Sequence, residues 1–218
     1  MLLLARNKAI FDADILLHLV KTNTIDLVIE LFDVIYVSDY VYDVEIRKHT
    51  DEHRKLTKLI NSDKLIVLTY SKLTEPQKKA YRETVKVLES KTSKDKVNEG
   101  EKVTAGFTKA CNIYYYMSDD NKAALYIASL AGVDVVNFCD LLYLYIAVKG
   151  KEHADKLKKA YSDFVGLFDP GKEPNILKQD GRVIEFKDVI ARCYDRFRDN
   201  KNLADLLELL KRIQSSRD

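Results

Sequence analysis

Five short runs of β-branched and aromatic residues, at 8–12, 33–37, 64–68, 113–117 and 133–136, recur along the chain with helix-length amphipathic stretches between them. Strands separated by helices cannot close hairpins; they pair in parallel, through crossovers that cover both faces of the sheet. The expected fold class is α/β, a three-layer α/β/α sandwich with a mostly parallel central sheet, plus C-terminal helices. Helix signals fit this order. Ser38 is placed to cap a helix carrying Tyr42, Glu45 and Ile46, and Thr74-Glu75-Pro76 opens a long polar helix with proline in its first turn. Asp119 or Asp120 is placed to cap a helix over 122–130, which Gly132 ends.

The polar stretch 90–98 reads as an exposed loop. The segment 169–182, with its run Asp169-Pro170-Gly171, reads as a linker or turn region before two helices at about 184–198 and 202–214. The expected organisation is one domain over 1–168 and a helical extension over 169–218, packed on that domain or linking to it. Leu203, Leu206, Leu207 and Leu210 repeat at helical spacing in the extension. Packing on the parent domain is their ordinary explanation, with a homodimer or another partner protein as the alternative.

Charge narrows the function classes. Residues 151–218 carry 15 Lys and Arg against 13 Asp and Glu, leaving 21 against 21 for 1–150. No long-range field draws in a polyanion, so any phosphate-binding surface must be a local patch. No apolar run approaches the roughly 20 residues of a membrane span, and the opening Met-Leu-Leu-Leu-Ala-Arg lacks the basic start and apolar length of a signal peptide. A cytoplasmic protein without membrane contact is expected. Cys111, Cys139 and Cys193 are odd in number and without Cys-x-x-Cys spacing, which points to buried thiols rather than disulfides or a zinc ribbon.

The acids stand where chain punctuation is sharpest. Asp12 ends the first apolar run and Asp14 follows at a helix start; Asp119 and Asp120 repeat the pattern after the run ending at Met117. In open α/β sheets the carboxyl ends of the strands border the ligand crevice. Acids there also cap helices and complement the helix dipole with no further role. Glu45 and Glu101 adjoin apolar helical stretches, where a carboxylate needs a partner. Convergent carboxylates repel until a cation such as Mg²⁺ or Mn²⁺ neutralises them. His49 and His53 have i, i+4 spacing but no His-Glu-x-x-His context, and read as a solvated face. Tyr114-Tyr115-Tyr116 reads as a buried strand before a base-stacking surface. Lys122 is equally a phosphate contact or a surface lysine.

In order, four segments resemble the motifs of PIN-domain nucleases: Ile10-Phe11-Asp12-Ala13-Asp14; Val37 through Glu45; Asn98-Glu99-Gly100-Glu101 before an apolar helix; and Met117-Ser118-Asp119-Asp120-Asn121-Lys122-Ala123-Ala124. The resemblance covers roughly 8–165. It implies an endoribonuclease that uses Mg²⁺ or Mn²⁺ to cleave single-stranded RNA, often as the toxin of a toxin-antitoxin pair with a small antitoxin partner. Carried over, Asp12, Glu101 and Asp119 hold metal, with Asp120 an alternative to Asp119, and Glu45 binds metal or orients the attacking water. Asp14, Ser118 and Lys122 are secondary candidates. Phe11-Asp12-Ala13-Asp14 also resembles the nucleophile motif of haloacid-dehalogenase-like phosphatases, with Asp12 as nucleophile. The non-enzyme alternative is an inert RNA-binding or protein-interaction module.

Overall fold

The computed structural model describes residues 8–32, 35–91, 97–120, 126–129, 131–168 and 182–217. Five parallel strands form one sheet in the order β3-β2-β1-β4-β5: β1 (Ala9–Phe11), β2 (Ile35–Ser38), β3 (Leu65–Leu68), β4 (Tyr115–Met117) and β5 (Asp134–Val136). Each lies within two residues of an expected apolar run. The connecting helices are α1 (Ala13–Lys21), α2 (Ile25–Phe32), α3 (Thr50–Asn61), α4 (Glu75–Lys91) and α5 (Glu99–Ala110). After β5 come α6 (Phe138–Lys149), α7 (Ala154–Val165), α8 (Phe186–Asp199) and α9 (Lys201–Ser215). The expected helix over 122–130 is seen as helical residues 126–129, closed by Gly132 at φ +64°. Its start, with Lys122, and residues 169–181 of the expected linker lie outside the described residues.

Strand periodicity of two divides the interior into two cores. Ala9, Phe11, Ile35, Val37, Tyr115, Met117 and Val136 point to one face, against α1, α2, α3, α6, α7, α8 and α9. Ile10, Tyr116 and their neighbours Tyr36 and Val135 point to the other, against α4, α5 and the helical residues before Gly132. The sheet is therefore covered on both faces, which gives the three layers.

The C-terminal helices belong to the larger core. Val189, Cys193 and Phe197 of α8 and Leu203, Leu206 and Leu210 of α9 are buried in it, with Leu207 packed alongside. The leucine row is thus used within the chain itself. Arg196 pairs with the buried Asp140 and donates to the Val135 carbonyl, while Asn200 donates to Asp134 Oδ1 at 3.3 Å. These bonds cover the outer edge of β5, which would otherwise present unpaired backbone groups.

Candidate active site

The strand order reverses between β1 and β4. From β1 the chain leaves toward α1 on the larger-core face; from β4 it leaves toward the opposite face. A crevice opens at such a switch point, beyond the carboxyl ends of the strands. Asp12 and Ser118 border it and still belong to the sheet ladder. Asp12 N–H donates to Met117 O at 3.0 Å, and Ser118 N–H donates to Val136 O at 3.1 Å. Both side chains are therefore set on rigid backbone.

Asp12 is buried and held on both oxygens. Oδ1 accepts from Ala13 N at 2.8 Å, capping α1, while Oδ2 accepts from the Tyr116 hydroxyl at 2.8 Å and from Ser118 Oγ at 3.4 Å. Helix capping and site formation, rival readings in the sequence, coincide in one side chain. Tyr116 reaches Asp12 because the two stand on adjacent strands, Phe11 pairing with Met117 in register. Burial, then the Asp12 charge, holds the Tyr116 phenol well above its ordinary value, so it remains a proton donor.

Glu45 arrives by an irregular route. Beyond β2, Ser38 Oγ accepts from Val41 N at 3.2 Å, as a cap should, but Val41–Glu45 is π-helical and Ile46–Lys48 is a 3-10 turn. An ordinary helix was expected. π-Helical turns often mark functional positions because they re-aim one side chain. Here the Glu45 carboxylate rests on Gly100 of α5, where an added Cβ would lie 2.6 Å from Glu45 Oε1. Gly100 is what allows helix and carboxylate to meet.

Glu101, one residue on, is buried and forms a capping box with Asn98: its Oε2 accepts from Asn98 N at 2.7 Å, and Asn98 Oδ1 accepts from Glu101 N at 2.9 Å. The same helix is tied to β2 by Ser38 Oγ and Thr104 Oγ1, 3.3 Å apart.

The two acids after β4 diverge. Asp119 turns to His18 and α6: Oδ2 lies 2.6 Å from His18 Nδ1, and Oδ1 accepts from Phe138 N at 2.8 Å. Asp120 is exposed, its N–H donates to Ser118 Oγ at 3.2 Å, and its charge acts on Glu101 and Asp14. Asp14 feels both.

Mutual electrostatics define the cluster. Burial raises Asp12 to about 6, its hydrogen bonds oppose this, and Asp14 adds to it. Burial, followed by Asp12 and Asp14, raises Glu45 to about 7. Burial, partly offset by the Asn98 amide, and then Asp12, Asp120 and Asp14 raise Glu101 to about 8. Asp14 is raised as well, chiefly by burial. Hence acids from residues 12 to 120 share one electrostatic neighbourhood. Among the described residues, no three His, Cys, Asp or Glu side chains stand close enough together to grip an ion as they are. Binding one would require the carboxylates to draw inward.

The other candidates fall elsewhere. His53 stacks on Tyr42 with ring centroids 4.7 Å apart, and His49 precedes α3, giving no joint metal site. Tyr115 and Tyr116 are buried strand residues and Tyr114 is exposed. None of the three cysteines is in a disulfide; Cys139 and Cys193 are buried and Cys111 partly so. Among the described residues no helix is long and apolar enough to cross a membrane. Comparison with protein-family profiles, curated proteins and solved structures found no match.

Proposed function

We propose that the protein is a PIN-like, metal-dependent endoribonuclease that hydrolyses phosphodiester bonds of single-stranded RNA. The observation that carries this reading is the meeting of Asp12, Glu45, Glu101 and Asp120 in one electrostatic neighbourhood at the β1/β4 switch point. The choice of RNA rests on the motif resemblance. The donors are all carboxylate oxygens, which suit Mg²⁺ or Mn²⁺, and the close approach of Glu45 to Gly100 brings its carboxylate against the first turn of α5, the helix that carries Glu101.

Asp12, Glu101 and Asp120 would hold the ion. Asp119 joins His18 to the start of α6, whereas the charge of Asp120 acts on Glu101, so Asp120 is the better ligand of the pair. When bound, the ion supplies an activated water and neutralises charge on the phosphate. The chain's own part is positioning: Tyr116 and Ser118 fix Asp12, Asn98 fixes Glu101, and Glu45 stands ready to orient water. Cysteines outside any disulfide suit a reducing, cytoplasmic setting. An antitoxin or a second copy of the chain would have to dock on a surface other than the leucine row, which the C-terminal helices bury.

The test is cleavage of labelled single-stranded RNA with Mn²⁺, Mg²⁺ or EDTA. Metal-dependent cutting is expected, with Asp12→Asn reduced by at least about 100-fold and Asp120→Asn hit harder than Asp119→Asn. No cutting with either ion by folded protein rejects the reading. An acyl-phosphate trapped on Asp12 would instead make it a phosphatase, and RNA binding without cutting would make it a binding module.

A further inference from the structure

We infer that His18 is a positioning residue for the acidic crevice, acting through Asp119; the inference rests on the nuclease reading above. His18 lies one helical turn beyond Asp14 on α1, and its ring is held edge-on by Phe164 and Phe168, at centroid distances of 5.1 and 5.2 Å. Phe138, the first residue of α6, stacks on Phe164 at 4.2 Å and gives its N–H to Asp119. The His18 ring and the α6 amide thus take one oxygen each of a nearly buried carboxylate.

Asp119 is in this way a strut joining α1, the end of β4 and the start of α6. It lies between the two residues that face the crevice: Ser118, whose hydroxyl reaches Asp12 and accepts from Asp120 N–H, and Asp120 itself. Locking Asp119 leaves the 118–120 turn one orientation. Without the His18 donor, a buried carboxylate oxygen loses its partner, and the carboxylate must turn to find another donor. Ser118 and Asp120 would turn with it. Outer partners of this kind typically govern metal affinity about as strongly as 10-fold or more.

The experiment uses full-length protein with Mn²⁺ alone, titrated calorimetrically, beside thermal unfolding in EDTA and RNA cleavage. His18→Ala is expected to weaken Mn²⁺ binding by about tenfold, with a matching rise in the Mn²⁺ needed for half-maximal cleavage. His18→Asn, whose amide N–H can stand where Nδ1 stands, is expected to recover most of that loss. The inference is overturned if His18→Ala binds Mn²⁺ like the wild type. Equal impairment of the Ala and Asn variants also overturns it, because that pattern belongs to lost aromatic packing. A wild type that neither binds Mn²⁺ nor cuts RNA rejects the nuclease reading, and this inference with it.

Discussion

The acids of the crevice destabilise the metal-free fold they belong to. Asp12, Glu45 and Glu101 have folded-state values of about 6, 7 and 8, all above those of an unfolded chain. A raised carboxyl contributes stability that is complete below its unfolded value and is lost as pH rises through the folded one. In EDTA, the melting temperature is therefore expected to fall between about pH 4 and pH 8; a flat profile would mean that burial does not hold these acids above their ordinary values. Metal should reverse the trend, since binding needs the ionised forms and tightens as pH rises. Gly100 gives a second test at this scale. Alanine there favours α5 by up to about 1 kcal/mol, but its Cβ occupies the place of the Glu45 carboxylate. Gly100→Ala should hold or raise the melting temperature while cleavage drops several-fold, a separation that a purely structural glycine would not produce. Individual residues were unevenly legible. Asp12 could be read because a lone acid closes an apolar run, and Asn98 with Glu101 has capping-box spacing that was open to reading. The roles of Tyr116 and His18 could not be: one side chain reaches its acid across strands 104 residues apart in the chain, the other across 101.

At the scale of elements, the strands were legible as short apolar runs between helix-length stretches, most plainly β1 and β4, whose residues are all buried as a central parallel strand requires. The π-turn at Val41–Glu45 was not. Its residues have ordinary helical spacing, and nothing in their side chains distinguishes a π-turn from an α-helix. The attachment of α8 was hidden in the same way, since Arg196 and Asp140 are 56 residues apart. Asp140 is buried and already raised by desolvation, with Arg196 the main opposing influence. Arg196→Ala leaves that buried carboxylate without its cation, at a cost of about 1–3 kcal/mol because Arg196 itself is partly in solvent. The loss should be larger at pH 8 than at pH 5, because only the ionised acid needs the partner. Equal losses at both pH values in urea titrations would show that Arg196 acts through packing alone.

At the scale of the molecule, the expected division at residue 168 separates sequence segments that share one core. Phe197, Leu203, Leu206 and Leu210 pack with the residues of α6, α7 and the sheet, so removing 169–218 uncovers one whole side of that core. The shortened chain is expected to aggregate or to lose its cooperative unfolding transition; a soluble fragment with an unchanged melting temperature would show that the helices are an independent annex. The order of the chain then matters during translation. Every acid of the crevice has been synthesised by residue 120, yet the helices that complete the larger core come after residue 182. A growing polypeptide thus carries its full set of acids well before it can hold them in place. A chain cut short before residue 182 would carry every acid of the crevice without the helices that complete the core, so whatever chemistry the crevice supports belongs to chains that include those helices.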